Sequence, residues 1–283
     1  MEARFYEKQG VQTKCLLCPH QCLIGQGQRG RCQIRENRNG ILYAEGYGKV
    51  AAIALDPIEK KPLNRFYPGS TILTVGGYGC NFRCSFCQNY EISQNLGIAR
   101  QYLPHELRSI AVSQTSSGNI GLAFSYNEPL ISYEYIYDCA AEIRQAGLKN
   151  ILISNGYIEE APLKELLPLI DAMNIDLKSF QDNFYRQQCG GALEPVLRSI
   201  RLVAESCHLE ITTLIIPGLN DTVEEMRAIA GFIKGISPKI PLHISRFFPR
   251  YQMLDKNATD RQKMAELREA AGEYLHYVYW GNM

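Results

Sequence analysis

The chain has 283 residues, of which 46% are hydrophobic and 21% are charged, an ordinary balance for a folded globular protein. Its formal net charge of +1 provides no basic field for nucleic acid and no electrostatic attraction to an acidic membrane. Because the first residues are polar and no run of about 18 apolar residues follows, we expect a cytoplasmic protein without a membrane span.

The amino-terminal residues 1–65 are polar, contain many glycines and are rich in cysteine. Four cysteines there are separated by two, three and nine residues: Cys15, Cys18, Cys22 and Cys32. Four thiols at this spacing can chelate a tetrahedral zinc ion or hold a 4Fe–4S cluster, and thiols without a metal are the third alternative. We therefore predict a small metal- or cluster-binding module at 1–65, followed by a larger domain at 66–283.

From residue 71 onward, short apolar runs alternate with amphipathic segments of helical length. The predicted strands are Thr71–Val75, Ile120–Ser125, Asn150–Ser154, Ala172–Leu177, Leu209–Ile216 and Leu242–Phe247. The predicted helices are 104–114, 131–147, 160–169, 194–206, 222–235 and 259–273. Nearly continuous hydrophobicity is typical of parallel strands that are covered on both faces. The alternation predicts an α/β fold with a parallel sheet, either a partial barrel or a doubly wound sheet.

Three cysteines lie close together in Cys80-Asn-Phe-Arg-Cys84-Ser-Phe-Cys87, directly after the first predicted strand. Three thiolates can bind three irons of a 4Fe–4S cluster and leave the fourth iron open to a substrate. A structural zinc knuckle or reduced free thiols are the alternatives. Because active sites of β/α barrels lie on loops at the carboxyl ends of strands, the position favours catalysis.

Polar residues also follow the second and third predicted strands. Tyr126, Asn127 and Glu128 precede a proline after the second strand, which equally suits a turn ahead of a helix. Ser154 and Asn155 follow the third strand and offer two short polar side chains. All five residues are candidates for the binding of a cofactor.

The fourth and sixth predicted strands carry charged or titratable residues. Asp176 and Lys178 are two residues apart and share one face of the fourth strand. Charges that face a barrel interior are costly unless they pair with each other or bind a ligand. His243 lies on the sixth strand, where a lone histidine is more often a core residue than a functional one.

The Cys-x3-Cys-x-Phe-Cys spacing resembles the signature of the radical SAM (S-adenosylmethionine) superfamily. The resemblance implies a partial (β/α)6 barrel and a 4Fe–4S cluster on Cys80, Cys84 and Cys87. It also implies reductive cleavage of SAM to methionine and a 5′-deoxyadenosyl radical, which abstracts hydrogen from a substrate. The implied electron donor is a reduced flavodoxin or ferredoxin.

The same resemblance assigns roles to the polar residues. Tyr126-Asn127-Glu128 is similar to the Gly-Gly-Glu element that binds the SAM amino group, with two side chains in place of the glycines. Asp176-Leu-Lys178 resembles an element that glycyl-radical-enzyme activases use near SAM, and the family uses a histidine on the last strand, as His243 is here. We therefore expect these residues to bind the cofactor.

Several further motifs resemble the AmmeMemoRadiSam-system radical SAM proteins, often described as similar to pyruvate formate-lyase-activating enzyme. They are the amino-terminal Cys-x2-Cys-Pro-His-x-Cys and Gly-x2-Gly-x-Cys, the run Asp56-Pro-Ile-Glu-Lys-Lys-Pro-Leu63, and Cys87-Gln-Asn. One departure from these proteins is Phe248, where the family has the histidine of Phe-His-Pro. The chain also lacks the Asp-Gly-Pro-Gly segment that glycyl radical activases carry near the amino terminus, which counts against simple transfer of their substrate.

The resemblance implies a radical SAM oxidoreductase whose substrate is left open. The candidates are a protein partner that receives a glycyl radical, and a peptide or small molecule. A non-catalytic iron–sulfur electron carrier or a zinc-stabilised adaptor is the alternative from another class. The polar residues after the predicted strands disfavour it, because neither protein needs charged side chains at those positions.

Overall fold

The structure is a computed structural model and describes residues 1–95 and 97–282. The predicted domain 66–283 includes residues 96 and 283, which lie outside the described residues. Within the described part, no helix is both long enough and apolar enough to span a membrane.

The amino-terminal segment consists of short antiparallel strands. In chain order they are β1 (Tyr6–Gln9), β2 (Gln12–Cys15), β3 (Leu23–Ile24), β4 (Arg35–Arg38), β5 (Ile41–Ala44), β6 (Lys49–Val50) and β7 (Ala52–Pro57). Strands β1 to β3 form one small sheet, and β4 and β5 form a hairpin. β7 joins the main sheet instead, so the division at residue 65 stays a prediction.

The main sheet confirms the predicted α/β fold with a central parallel sheet. The strands that follow residue 65 are β8 (Thr71–Gly76), β9 (Arg100–Gln101), β10 (Asn119–Phe124), β11 (Lys149–Ser154), β12 (Ala172–Asp176), β13 (His208–Ile215), β14 (Leu242–Arg246) and β15 (Val278–Gly281). The sheet order is β15-β14-β13-β12-β11-β10-β8-β7, and all pairs are parallel except β7 with β8. β9 pairs with β6 outside this sheet.

The longer helices connect successive parallel strands. The helices are α1 (Tyr90–Ser93), α2 (Pro104–Ser113), α3 (Tyr133–Gln145), α4 (Glu160–Leu166), α5 (Asp182–Phe184), α6 (Glu194–Ala204), α7 (Val223–Ile236) and α8 (Arg261–Gly272). Side chains fix where two of them begin: Thr222 accepts the Glu225 amide at α7, and Asp260 accepts the Lys263 amide at α8. This strand–helix repetition brings the carboxyl ends of β8 and β10 to β14 to one edge of the sheet.

The six predicted strands correspond to β8 and β10 to β14, whereas β7 and β15 were not predicted. The buried residues of β8, β10 and β12 are nearly continuous in sequence, as their hydrophobic runs indicate. β7 is mostly exposed and includes Asp56, and β15 is short and half-buried, so neither has the hydrophobic pattern of a central strand. Both are edge strands, where one side is free of a neighbour.

A buried ion pair fastens the amino-terminal segment to the barrel. The Arg35 guanidinium donates to both carboxylate oxygens of Glu134 on α3, at 2.7 and 2.9 Å, and also to the Arg4 carbonyl oxygen. Arg35 is 1% exposed and Glu134 is 4% exposed. Removing either partner leaves a buried charge without compensation, which typically costs about 3–5 kcal/mol.

Candidate active site

The three cysteines of the loop Cys80–Cys87, which we call the cluster loop, line one cavity at the carboxyl edge of the sheet. The loop follows β8 through Gly79, which has φ +79°, and a Cβ there would overlap the Cys32 carbonyl oxygen. The backbone amide of Phe82 donates to Cys80 Sγ at 3.3 Å. A glycine is therefore needed before Cys80, because the loop presses closely on the amino-terminal segment.

The donors in this cavity fit an iron–sulfur cluster. Burial raises the pKa of the Cys80 thiol well above its usual range, and Glu128 and the other two cluster-loop cysteines raise it further. A hydrogen bond with Cys189 is the largest cause of the raised pKa of Cys84, followed by burial. Thiols in such surroundings lose their protons only when a bound cation compensates the charge, as the irons of a cluster do.

The residues that follow β10 hold the cluster loop in place. Asn127 Oδ1 accepts the Gly77 amide at 2.9 Å, and its Nδ2 donates to the carbonyl oxygens of Tyr78 and Gly79 at 3.0 and 3.1 Å. The side chain of Asn127 thus connects the end of one strand to the loop that follows its neighbour.

Glu128 is a buried carboxyl group in the cavity wall and is 3% exposed. It accepts the amides of Leu130 and Asn155, at 3.0 and 2.8 Å, and the Ser154 hydroxyl at 2.8 Å. Burial raises its pKa to about 7, although these hydrogen bonds act in the opposite direction. A carboxylate has about four acceptor positions, so about one remains for a cationic ligand.

Asp176 and Lys178 pair with each other and also line the cavity. Lys178 Nζ lies 3.0 Å from Asp176 Oδ2 and 5.8 Å from the centre of the Phe86 ring. Burial lowers the pKa of Lys178, but Asp176 and the neighbouring thiols raise it more, so the net shift is upward. The ammonium group therefore stays charged beside the cluster loop.

Asn155 connects the end of β11 to the cluster loop. Its Nδ2 donates to Asn81 Oδ1 at 2.9 Å and lies 3.7 Å from Cys80 Sγ. The structure therefore brings together on one cavity seven of the eight residues expected to bind the cofactor: Tyr126, Asn127, Glu128, Ser154, Asn155, Asp176 and Lys178.

His243 is the exception, because its imidazole is engaged elsewhere. His243 Nε2 lies 2.6 Å from Glu210 Oε2, and the ring stacks on Tyr279 with centroids 5.3 Å apart. Glu210 also interacts with His208 and accepts two backbone amides, so this carboxylate organises a buried polar group of its own. His243 is thus placed in the barrel interior, outside the residues that line the cavity.

A polar network that the sequence did not predict holds the side chain of Tyr126. Asp56 Oδ2 accepts the Tyr126 hydroxyl at 2.8 Å and the Lys61 ammonium at 2.9 Å. Tyr126 has φ +72°, the left-handed region that favours glycine, and stands where the related element has its first glycine. The run Asp56-Pro-Ile-Glu-Lys-Lys-Pro-Leu63 carried this signal, but its contact with Tyr126 depends on β7, which was not predicted.

Cys189 also lies next to the cluster loop without lining the cavity. It is fully buried at the end of a short π-helical turn, Tyr185–Cys189, and its carbonyl oxygen accepts the Arg83 amide at 2.8 Å.

A larger groove of about 820 Å³ lies along β13, α6 and α7, but it lacks the cluster-loop cysteines and the polar strand ends. We therefore assign the chemistry to the smaller cavity, of about 330 Å³.

The fold and this cavity define a β/α enzyme whose active site lies on the loops at the carboxyl edge of a parallel sheet. Residues 74–233 match the family model described as the Radical SAM superfamily, and the chain belongs to that superfamily.

Two relatives show similarity over most of the chain. The chain is 42% identical over 289 residues to an uncharacterized protein of Methanocaldococcus jannaschii, an alignment that covers 100% of this chain and 85% of the relative. It is 26% identical over 215 residues to the pyruvate formate-lyase-activating enzyme of Clostridium pasteurianum, which covers 70% of this chain and 88% of the relative.

Solved structures share the fold. A domain of pyruvate-formate lyase-activating enzyme from Bacteroides vulgatus has a TM-score of 0.51 and 20% identity, covering 57% of this chain and 99% of that chain. A radical SAM methyltransferase from Sphaerobacter thermophilus has a TM-score of 0.58 and 14% identity, covering 76% of this chain and 67% of that chain.

These findings confirm the resemblance inferred from the cysteine signature. The chain is a radical SAM enzyme, a class that uses a 4Fe–4S cluster and SAM, and its relatives include a pyruvate formate-lyase-activating enzyme. An electron carrier or a zinc-stabilised adaptor does not account for this membership.

Proposed function

We propose that this enzyme acts on a protein partner, in which it generates a glycyl radical. The observation that supports radical chemistry is that the cluster-loop cysteines, Glu128 and the Asp176–Lys178 pair all line one cavity. The similarity to the pyruvate formate-lyase-activating enzyme of Clostridium pasteurianum supports a protein substrate. The missing Asp-Gly-Pro-Gly segment favours a peptide or small molecule as the second candidate.

In this proposal each residue of the cavity has a distinct task. Cys80, Cys84 and Cys87 hold the 4Fe–4S cluster, and the acceptor position left on Glu128 receives the SAM amino group. Lys178, already charged beside Asp176, attracts the SAM carboxylate. Bound together, cluster and SAM supply a 5′-deoxyadenosyl radical that takes hydrogen from a substrate carbon.

The proposal extends to partners and to location. A reduced flavodoxin or ferredoxin supplies the electron, since 4Fe–4S clusters of this kind require a low-potential donor. The ten cysteines are all free in the structure, which suits the reducing cytoplasm. A second metal site, holding zinc or a further cluster, is proposed on Cys15, Cys18, Cys22 and Cys32.

The first test is the formation of 5′-deoxyadenosine. The protein is reconstituted without oxygen, dithionite and SAM are added, and the product is measured by mass spectrometry. We expect Cys84→Ala to abolish the product and Cys207→Ala, a cysteine outside the cavity, to retain it. Cleavage of SAM by Cys84→Ala at the wild-type rate would contradict the cluster assignment.

The nature of the substrate is tested separately. Cell extract is divided into macromolecules and small molecules, and each fraction is added to the reduced enzyme with SAM. A protein substrate predicts that macromolecules stimulate product formation and acquire a glycyl radical signal in electron paramagnetic resonance. Stimulation by the small-molecule fraction alone would favour the second candidate.

A further inference from the structure

The four amino-terminal cysteines lie around one void, although Cys15 ends β2 and the other three belong to the loops that follow. Cys15, Cys18, Cys22 and Cys32 all line this small void. The rest of its wall consists of apolar residues and of three residues that carry nitrogen donors, Arg31, Arg35 and Asn81. Four cysteines around one void are a donor set for a soft metal centre.

Backbone amides interact with these four cysteines. Burial raises the pKa of three of the thiols, and a hydrogen bond from the amide two residues later acts in the opposite direction: Leu17 at Cys15, His20 at Cys18, and Ile34 at Cys32. At the fourth, the Arg31 amide donates to Cys22 Sγ, with an N···S distance of 3.4 Å. Hydrogen bonds from backbone amides to sulfur are a recurring feature of metal-bound thiolates.

The other cysteines of the chain provide an internal comparison. In the cluster loop, Phe82 donates to Cys80 and Asn89 donates to Cys87, the same spacing of two residues. For Cys139 and Cys207, the described residues supply no such backbone donor. A backbone donor two residues later is therefore common to Cys15, Cys18 and Cys32 and to the cluster-loop cysteines Cys80 and Cys87, but not to Cys139 and Cys207.

The chain around these cysteines also supports the cluster loop from behind. The Asn81 carbonyl oxygen lies 2.8 Å from His20 Nε2 and accepts Arg31 Nε at 3.2 Å. Asn81 follows Cys80 directly and forms part of the wall of the amino-terminal void. The Arg83 guanidinium donates to the Arg31 carbonyl oxygen, so two cluster-loop residues are held by the segment between Cys18 and Cys32.

We propose that Cys15, Cys18, Cys22 and Cys32 form a second thiolate metal centre whose metal braces the cluster loop. The inference deepens the proposed function, which places a second metal site on these cysteines and the radical SAM cluster on the braced loop. In residues 1–95 and 97–282 no three His, Cys, Asp or Glu side chains are gathered as ligands of a single ion, and this holds equally for the cluster-loop cysteines.

Metal content of a variant without the radical SAM cluster tests the site itself. Cys80, Cys84 and Cys87 are all replaced by alanine, and the protein is purified without oxygen and analysed for zinc, iron and sulfide. We expect either about one zinc per chain or about four irons with matching sulfide, and the two results distinguish an ion from a cluster. A metal-free protein would overturn the proposal, whatever the wild-type enzyme does with SAM.

A second variant tests the bracing. Cys18→Ser is expected to lose the second metal and to take up severalfold less iron at the radical SAM cluster during reconstitution. Loading is measured from the signal of the reduced cluster in electron paramagnetic resonance, with and without SAM. Cys207→Ser, outside both cysteine groups, is expected to load like the wild type. Normal cluster loading in Cys18→Ser without its second metal would overturn the bracing.

Discussion

Replacing Glu128 by glutamine should weaken the binding of SAM without emptying the cavity. The side chain keeps its size, but it loses the charge that would attract the SAM ammonium group. In addition, its NH₂ group would face the amide of Leu130 or Asn155, so that two hydrogen-bond donors would meet. A hydrogen bond to a charged group contributes about 1.5–3 kcal/mol. At about 1.4 kcal/mol per factor of ten, the dissociation constant of SAM should rise by about 10- to 150-fold.

The measurement is calorimetric titration of the cluster-loaded protein with SAM, together with 5′-deoxyadenosine formation. Glu210→Gln is the matched control, because Glu210 is a fully buried carboxylate with four protein donors that lies outside the cavity. We expect Glu210→Gln to lose stability but to bind SAM like the wild type. If Glu128→Gln bound SAM with unchanged affinity, the carboxylate would not contact the cofactor; equal losses in both variants would indicate general damage.

Three further predictions concern stability and the cluster loop. Burial raises the pKa of Glu210, but hydrogen bonds from His208, His243 and the Arg65 amide together outweigh it and lower the pKa from 4.5 to about 2, so this carboxylate contributes about 3 kcal/mol above pH 4.5. That contribution is lost as the pH falls toward 2, and urea unfolding of Glu210→Gln should show a flatter pH dependence than the wild type. Gly79→Ala should lower iron incorporation, measured by metal analysis, because the added Cβ overlaps the Cys32 carbonyl oxygen. Gly10 also has a positive φ but lies in open space, so Gly10→Ala should lower the free energy of unfolding by only about 1 kcal/mol. Tyr126→Phe removes the hydroxyl that donates a hydrogen bond to Asp56, so it should lower the free energy of unfolding by about 1 kcal/mol. An unchanged midpoint of urea unfolding would refute this.

Local sequence determined the parallel core and the cluster loop. The strands β8 and β10 to β14 are recognisable because their hydrophobic runs are nearly continuous, and a strand covered on both faces needs no polar alternation. The spacing of Cys80, Cys84 and Cys87 is fixed by a single loop, so its chemistry is visible in eight consecutive residues. Asp176 and Lys178 were expected either to pair or to serve a ligand; in the structure they pair and also line the cavity.

Contacts between distant segments could only be decided by the tertiary structure. Tyr126 is held by Asp56, 70 residues earlier in the chain, and the pairing of β7 with β8 that brings Asp56 there follows no hydrophobic pattern. His243 stays a predicted cofactor residue, and only the tertiary structure shows that its imidazole contacts the buried carboxylate of Glu210, 33 residues away. A buried charge binds the donors that the fold brings within reach, and that choice depends on packing rather than on local sequence.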